Sequence, residues 1–276
     1  MVGTEGFLNE KRRDTAQNER SLLPAERRRR VARLVRETGS VTVMGLEKEF
    51  GVSPMTARRD LKILEREGRV RRTHGGAVLP GFAGHEDSFQ WRLEESVEAK
   101  RRLARSAIGL LKPGETVFLD SSTTAYHVAR QVLAEGLPVT LLTNLVPTME
   151  LFSSSDSPGV EIVGIGGSMR KLTRSLVGPH TTRMILSHFA DKAFISVKGV
   201  TRDGYLTDPD PLEAEVKRTM VERSEEPILL IDSGKLEQRG LYVITHVSGF
   251  AQVLVADATA AHLESLAETG VAVRRV

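Results

Sequence analysis

Residues 53–62 combine the start of a helix with basic side chains of the kind that contact DNA. Ser53 can accept a hydrogen bond from a free backbone N–H as an N-cap, and Pro54 suits the first helical position, where no N–H donor is needed. Two sets of side chains then recur at helical spacing. One set is apolar and consists of Ala57, Leu61 and Leu64; the other consists of Met55, Arg59, Lys62 and Arg66. This pattern predicts a helix that packs through one face and presents cations on another.

The flanking segments predict the rest of a winged helix-turn-helix. A supporting helix and a turn are indicated by four apolar anchors and a glycine that can end a helix with positive φ, namely Val43, Leu46, Phe50, Val52 and Gly51. Residues 24–38 predict a first helix that begins at Pro24, and residues 69–79 predict two short strands around a glycine turn. We therefore assign residues 23–80 to this domain and expect a disordered tail over residues 1–22.

Positive charge is concentrated in the same region. The whole chain has a formal net charge of only +3, but residues 24–74 hold 14 Lys and Arg against 7 Asp and Glu. Such a basic segment favours the phosphate backbone of DNA and makes binding depend on salt. The alternative is a solvated helix face in a small structural or protein-binding module. Because the N-cap, turn glycine, apolar spacing and basic hairpin all agree, we favour DNA binding.

This region resembles the N-terminal domain of the DeoR family of bacterial transcriptional regulators. The resemblance is carried by Arg27, Val31 and Val35, by Ser53-Pro-Met-Thr56-Ala-Arg58-Arg59-Asp60-Leu61, and by Arg72-Thr-His74-Gly75-Gly76-Ala77. It implies that the helix from Ser53 contacts operator DNA through Thr56, Arg58, Arg59 and Lys62. The wing would contact the DNA backbone or minor groove through Arg71, Arg72 and His74. From charge alone we expect Asp60 to bind a neighbouring arginine, because phosphates would repel its carboxylate.

Length and composition leave room for a second domain and exclude several classes of protein. The 276 residues exceed what one small DNA-binding domain needs, so we expect a linker over residues 81–95, docked through Phe89 and Trp91, and a second domain over residues 96–276. The chain has no cysteine, which excludes disulfides and thiolate metal sites. It shows neither a membrane-spanning apolar run nor a signal peptide. We expect a cytoplasmic protein that has no cofactor or metal and does not bind membranes.

The second domain has the pattern of an open α/β fold. Short apolar runs predict buried strands at Thr116 to Leu119, Val139 to Thr143, Val160 to Ile165, Ala193 to Val197, Ile228 to Ile231 and Val253 to Ala256. Amphipathic helices lie between them at Thr124 to Leu133, Pro211 to Ser224 and Ala260 to Glu268. This alternation predicts a largely parallel sheet.

Ligands of such sheets bind at the carboxyl ends of the strands, where this sequence places small and polar residues. Asp120, Ser122, Thr123 and Thr124 follow the first strand and lead into a helix, so that hydroxyls and free N–H groups could bind a phosphate. Later strands are followed by Asn144, Arg170 and Lys235, which could converge with Asp120 on one anion. Taken singly, a Ser/Thr cluster is often only a cap, and Arg170 and Lys235 could be surface charges.

The DeoR resemblance continues from about Trp91 to Ala256. It is carried by Asp120 with Thr123-Thr124, Thr143-Asn144, Gly166-Gly167 with Arg170, Val177-Gly178, Asp191-Lys192-Ala-Phe, Gly199, Gly204, Glu213 with Lys217, and Asp232-Ser233 with Lys235. It implies an effector domain that looks like ribose-5-phosphate isomerase, glucosamine-6-phosphate deaminase and coenzyme A transferases, and that senses a phosphorylated sugar. Glu213 and Lys217 are among the effector contacts that this resemblance implies. Two residues depart from the family pattern: Ser122 replaces a frequent glycine, and Lys198 replaces a frequent acidic or amide residue. Lys198 could instead add a cation that contacts a more acidic effector.

The rival function is a sugar-phosphate isomerase-like enzyme fused to a DNA-binding domain. Proton abstraction needs a positioned base, and Glu213 is the one candidate among the matching positions. Lys217 lies one helical turn further on, so a surface ion pair between residues i and i+4 explains the two equally well. Lys198 also argues against catalysis, and we expect no catalytic residues. A structural DNA-coating protein would leave the pocket residues without a role.

We therefore expect a DNA-binding transcriptional regulator, most plausibly a repressor of a carbohydrate operon. Its partners would be double-stranded operator DNA and a phosphorylated sugar effector. A ligand can shift operator binding only through its difference in affinity for two states of the protein. Paired half-sites multiply specificity, so a homodimer or homotetramer is expected.

Overall fold

The chain divides after Glu86 into two compact units in the computed structural model. The structure describes residues 22–73, 75–78, 86–236 and 238–276. Most of the expected tail, residues 79–85 and His74 lie outside the described residues.

The described residues of the N-terminal unit form three helices and a small antiparallel sheet. Its elements are α1 (Pro24–Thr38), β1 (Ser40–Thr42), α2 (Val43–Phe50), α3 (Pro54–Arg66), β2 (Arg71–Thr73) and β3 (Gly76–Val78). The sheet order is β1-β3-β2, and both pairings are antiparallel. The winged helix-turn-helix is therefore confirmed. The strand β1 was not predicted, because three residues between two helices show no readable alternation.

Local signals account for the two helices of the helix-turn-helix. The Ser53 hydroxyl accepts a hydrogen bond from the Thr56 N–H at 3.2 Å, and Pro54 begins α3. Gly51 ends α2 with φ of 62°, a left-handed conformation that glycine adopts without strain. The predicted caps are thus confirmed, and the turn between α2 and α3 is short and well defined.

Asp60 joins α3 to α1 within this unit. Its side chain is buried, and its Oδ2 accepts a hydrogen bond from Nε of Arg27 at 2.6 Å. A second guanidinium, that of Arg28, lies 3.7 Å from Oδ1. The predicted contact between Asp60 and a neighbouring arginine is confirmed. The buried apolar side chains of this unit include Val35, Leu46, Leu61 and Leu64.

The C-terminal unit is built on a seven-stranded sheet in which every pairing is parallel. The strands are β4 (Thr116–Leu119), β5 (Thr140–Thr143), β6 (Glu161–Gly164), β9 (Ala190–Ile195), β12 (Ser224–Asp232), β14 (Gln252–Ala256) and β15 (Ala272–Arg275). Their order is β15-β14-β12-β9-β4-β5-β6. All six predicted strands lie in this sheet, which confirms the α/β fold class.

Helices and smaller sheets surround the large sheet. The helices are α4 (Phe89–Glu94), α5 (Val97–Ile108), α6 (Thr123–Glu135), α7 (Val146–Ser153), α8 (Pro179–Leu186), α9 (Pro211–Glu222) and α10 (Ala260–Ala267). The remaining strands are β7 (Ser168–Arg170), β8 (Ser175–Val177), β10 (Gly199–Val200), β11 (Tyr205–Asp208) and β13 (Tyr242–His246). They form an antiparallel hairpin, β7-β8, and an antiparallel sheet, β10-β11-β13, neither of which was predicted.

Both faces of the parallel sheet are buried. One core contains Phe118, Leu142 and Leu229, and the other contains Leu119, Leu141 and Phe194. Successive strand residues point to opposite faces, so strands covered on both sides read as continuous apolar runs. No helix among the described residues is long and apolar enough to cross a membrane.

A short helix, α4, lies within the stretch expected to be a linker. Phe89 is buried, its N–H donates to the Leu172 carbonyl at 2.8 Å, and its ring meets that of Tyr126 edge-on. Trp91 is buried as well. Residues 89–94 thus pack onto the C-terminal unit through the two aromatic side chains that suggested docking.

Replacing Asp60 with Asn should destabilise the N-terminal unit by about 1.5–3 kcal/mol, because Arg27 loses a charged, buried acceptor. Hydrogen exchange measured by mass spectrometry on peptides from α1 and α3 would report this loss as faster exchange. Glu26→Gln is the matched control, since Glu26 forms only exposed pairs with Arg29 and Arg30 and should change stability by less than about 0.5 kcal/mol. Equal effects of the two substitutions would contradict the role of Asp60.

Candidate functional site

The exposed face of α3 is basic. Its exposed side chains include Met55, Arg58, Arg59, Lys62 and Arg66, whereas Ala57, Asp60, Leu61 and Leu64 are buried. The two predicted faces of this helix are therefore present. Of the proposed DNA contacts on α3, Arg58, Arg59 and Lys62 are exposed to solvent.

The first turn of α3 uses its hydroxyl groups internally. The hydroxyls of Ser53 and Thr56 lie 3.0 Å apart, and the Ser53 hydroxyl also accepts from the Thr56 N–H. Ser53 thus caps the helix, and its hydroxyl also bonds to that of Thr56. The Thr56 hydroxyl keeps further hydrogen-bonding capacity, so it could contact DNA while this bond is present.

The described residues of the wing include two exposed arginines, and one of them is held by α3. Arg71 is exposed, and so is Arg72, but Nε of Arg72 donates to Oε2 of Glu65 at 2.7 Å. The backbone N–H of Arg72 also donates to Glu65. These bonds lower the pKa of Glu65, so the pair stays charged. Arg72 therefore positions the wing against α3.

In the C-terminal unit, Asp120 organises the loop after β4. Its carboxylate is fully buried and accepts hydrogen bonds from the N–H groups of Ser122 and Ser196, each at 3.0 Å. Burial raises the pKa of Asp120, and the neighbouring Lys217 partly offsets this effect. Asp120 thus connects the ends of β4 and β9, and its oxygens face protein donors.

The Ser/Thr cluster forms the N-terminal cap of α6. The Ser122 hydroxyl accepts from the Ala125 N–H at 3.0 Å, as the simpler cap interpretation predicts. The Thr123 hydroxyl donates to the Arg92 carbonyl at 3.3 Å, so α4 reaches the same helix end. Thr124 is buried beside them.

Glu213 is the acceptor of a buried hydrogen-bond cluster. Its carboxylate accepts from the hydroxyl of Ser121 at 2.6 Å, from the hydroxyl of Ser175, and from Nη1 of Arg170 at 3.0 Å. Burial would raise the pKa of Glu213, but Lys217, these hydroxyls and Arg170 lower it on balance. Arg170 also lies 3.1 Å from Asp210, which caps α9. Arg170 therefore pairs with carboxylates at this end of the site.

Glu213 and Lys217 do not form the surface ion pair that was the alternative interpretation of their spacing. Both side chains are buried, and Nζ of Lys217 donates to Oδ2 of Asp208 at 2.6 Å and lies 4.0 Å from Oδ2 of Asp120. Burial alone would lower the pKa of Lys217, but Asp208, Asp120 and Glu213 more than offset it and raise that pKa. The spacing along the helix was read correctly, but α9 turns this face toward the sheet instead of solvent.

Asn144 holds β8 against the end of β5. Its Nδ2 donates to the Leu176 carbonyl at 2.9 Å, and its Oδ1 is buried with no hydrogen-bond partner among the described residues. Asp120, Asn144 and Arg170 thus each have protein partners at the carboxyl edge. Lys235 belongs to a second cluster.

That second cluster is cationic and consists of Arg92, Lys100, Lys198 and Lys235. Nζ of Lys100 is buried and donates to the carbonyls of Arg92 and Glu95, the latter at 2.6 Å. Burial lowers the pKa of Lys100 to about 7, and the charge of Lys235 acts in the same direction. Burial also lowers the pKa of Lys235; Asp232 opposes this, while Lys198 and Arg92 add to it.

Arg92 and Lys198 complete this cationic cluster. Nε and Nη2 of Arg92 are buried, and no described residue accepts a hydrogen bond from either atom. Lys198, which departs from the family pattern, lies 3.6 Å from the buried carboxylate of Asp87. Sequence reasoning missed Arg92 and Lys100. Lys100 had a readable signal, since it lies three and four residues before the buried Leu103 and Ala104 in the apolar stripe of α5.

Two family models together cover both units of the chain. Residues 27–81 match the DeoR-like helix-turn-helix domain, and residues 95–258 match the DeoR C terminal sensor domain. The chain belongs to the DeoR family. The basic face of α3 thus lies in the family's helix-turn-helix, and the clusters at the carboxyl edge lie in its sensor domain except for Arg92, which precedes the matched residues.

Relatives of this DeoR family member are named as regulators. The HTH-type transcriptional regulator GlpR of Haloferax volcanii is 34% identical over 79% of this chain and 84% of its own length. The lactose phosphotransferase system repressor of Staphylococcus epidermidis is 33% identical over 75% of this chain and 81% of its own. The transcriptional repressor GlcR of Bacillus subtilis is 35% identical over 69% and 72%, respectively. The chain is a DNA-binding transcriptional regulator.

Ribose 5-phosphate isomerase A from Methanocaldococcus jannaschii is a solved structure that aligns with part of this chain. The identity is 16% and the TM-score 0.37, over 51% of this chain and 55% of the isomerase.

Replacing Lys217 with Met should destabilise the sensor domain by about 3–5 kcal/mol, because the carboxylates of Asp208 and Asp120 would lose their buried counterion. The single tryptophan, Trp91, lies in this unit, so its fluorescence during urea denaturation reports the loss directly. The exposed Lys171→Met is the control and should leave the midpoint near that of the parent. A parental midpoint for Lys217→Met would show that the buried pair contributes nothing to stability.

Proposed function

We propose that this DeoR family protein is a repressor whose operator binding is controlled by a phosphorylated sugar held at the carboxyl edge of the parallel sheet. The observation that carries the proposal is the cationic cluster of Arg92, Lys100, Lys198 and Lys235 beside the start of α6. Its Arg92 guanidinium has buried N–H groups without acceptors among the described residues.

A phosphate would satisfy the groups in this cluster. Buried donors that lack partners are costly, and phosphate oxygens are strong acceptors with a geometry that suits a guanidinium. The first turn of α6 adds free N–H groups and the positive end of a helix dipole. The Thr123 hydroxyl at that turn bonds to the Arg92 carbonyl, so the start of α6 lies beside the last turn of α4, which carries Arg92.

The cluster around Glu213 could recognise the sugar. Ser121 links it to the α6 loop, and Arg170 and Asp210 are partly exposed at its edge. Carboxylate and guanidinium groups that are held in place by other bonds can accept from and donate to sugar hydroxyls without much loss of conformational entropy. We therefore place the polyol end of the ligand at Arg170 and Asp210, and the phosphate at Arg92 and Lys100.

Coupling to DNA would pass through α4, the first helix after the division between the units. Lys100 holds the C-terminal end of α4 through the carbonyls of Arg92 and Glu95. A bound phosphate would compete for the same ammonium group and would draw the Arg92 side chain toward itself. The ligand would thus favour one arrangement of α4 over another, which is the condition for shifting the DNA-binding equilibrium.

The environment of Glu213 supports a sensor over an enzyme. A general base needs a pKa near the working pH and a free lone pair directed at the substrate. The pKa of Glu213 is lowered, and its oxygens accept from Ser121, Ser175 and Arg170. Such a carboxylate is a weak proton acceptor, so we assign it a positioning role. The repressor names of two relatives support repression, and paired operator half-sites favour a homodimer or homotetramer.

Fluorescence anisotropy of operator DNA, with and without a panel of phosphorylated sugars and their unphosphorylated forms, tests this function. One phosphate ester should release the DNA, and the free sugar should not. Lys100→Met should raise the ligand concentration needed by about 10- to 100-fold, since a charged hydrogen bond is lost. Lys112→Met, at an exposed lysine nearby in sequence, should respond like the parent. If Lys100→Met releases DNA at the same ligand concentration as the parent, the cationic cluster is not the phosphate site.

Ligand affinity should fall as pH rises above about 7, because the free protein then loses the Lys100 proton that the bound phosphate needs. Below about pH 6 the phosphate itself gains a proton, so affinity should be highest between these values. Isothermal titration calorimetry in buffers of different ionisation enthalpy measures both the affinity and the proton uptake. Lys100→Arg keeps its charge and should remove the decline above pH 7. If ligand affinity still falls above pH 7 in Lys100→Arg, a group other than Lys100 causes the fall.

A further inference from the structure

We propose that Met55 is a specificity residue that contacts the C5-methyl group of a thymine in the operator. The proposal rests on the DNA-binding function described above and adds a chemical identity for one base that the protein recognises.

Met55 lies on the same face of α3 as Arg59, Lys62 and Arg66, and we call this face the basic stripe. At 3.6 residues per turn, Arg59, Lys62 and Arg66 all fall within about 40° of Met55 around the helix axis. All four side chains are exposed, and Met55 is 77% exposed. A face that brings these cations to DNA therefore brings Met55 to DNA as well.

The position of Met55 along the helix is that of a base-reading residue. It is the second residue of α3, and recognition helices contact base edges mainly with their N-terminal residues. The neighbouring side chains of Ser53 and Thr56 are short, and their hydroxyls bond to each other. Met55 is thus the side chain of this first turn with the greatest reach toward the groove.

The chemistry of methionine restricts its partner. Its side chain is apolar and flexible, without a strong hydrogen-bond donor or acceptor. The C5-methyl of thymine is the apolar group that the major-groove edge of a base pair presents. Contact between the two would remove apolar surface of both from water, and the cations on the same stripe would still reach phosphates or guanine.

A lone exposed methionine is common on protein surfaces, so a matched control is needed. The chain provides one in Met44, which is 76% exposed and is likewise the second residue of a capped helix, α2. Its helix carries Glu47 and Glu49 beside a single lysine, Lys48. Met44 therefore matches Met55 in type, exposure and helix position, but it does not lie on a basic stripe.

The test uses the full chain and a duplex selected for tight binding from a random-sequence pool. Each thymine of the selected site is replaced in turn by deoxyuridine, which removes only the methyl group, and affinity is measured by fluorescence anisotropy. At one position per half-site this change should weaken binding of the parent about three- to tenfold. Met55→Ala should weaken binding to the thymine duplex similarly, and its affinity should not change further with deoxyuridine. Met44→Ala should behave like the parent on both duplexes.

Other outcomes overturn the assignment. If every deoxyuridine effect is as large in Met55→Ala as in the parent, or if the selected site contains no thymine, Met55 does not contact that methyl group. If Met44→Ala loses the effect as well, it is not specific to the α3 stripe. Failure of the pool to yield any preferred sequence would contradict sequence-specific DNA binding itself. If a preferred site is selected but the deoxyuridine effects do not depend on Met55, only the Met55 proposal is contradicted.

Discussion

The ammonium of Lys217 is surrounded by the buried carboxylates of Asp208 and Asp120 and lies in the field of Glu213. Charges this deep in a protein are stable only when they are paired and hydrogen-bonded. Because the four groups come from α9, from β11 and from the loop after β4, their mutual neutralisation determines how α9 packs against β11 and the parallel sheet. The loop after β4 follows from this arrangement, since Asp120 and Glu213 bond to Ser122 and Ser121, respectively.

This network and the cationic cluster differ in one physical respect. Around Lys217 and Glu213, each charge meets an opposite charge or several donors, so the groups are satisfied by the protein alone. Around Arg92 and Lys100, the four cations outnumber the neighbouring carboxylates of Asp87, Glu95 and Asp232, and burial lowers the pKa of Lys100 to about 7. Satisfied networks make a fold rigid, whereas an excess of buried charge of one sign favours a ligand of the other sign. The rigid network thus supports the loop that begins α6. The cationic cluster lies beside this loop, and an anionic ligand bound there would do most to lower the free energy of the protein.

Features that leave a local signal in the chain could be predicted from the sequence. The caps at Ser53 and Gly51, the contact of Asp60 with an arginine and six strands of the parallel sheet were all predicted correctly, because caps and burial on two faces leave local signals. The strands β1 and β10 were not predicted because they contain only three and two residues, and β13 was not predicted because its partner β11 is distant in the chain. The surface interpretation of Lys217 was wrong for a similar reason, since its partners Asp208 and Asp120 lie on other elements. Spacing along a helix shows which residues share a face, but not whether that face meets solvent.

The sequence by itself determined the family, the two kinds of domain and the residue types at the strand ends, because motifs, periodicity and composition depend only on neighbours along the chain. Only the tertiary structure decided which of those polar residues are already paired. Asp120, Arg170 and Glu213 were proposed as ligand contacts and proved to bond extensively to protein groups, whereas Arg92 and Lys100, which carried weak or no sequence signal, lie together near Lys235. The physical reason is that electrostatic pairing depends on distances of a few ångströms between elements, and those distances are set by packing.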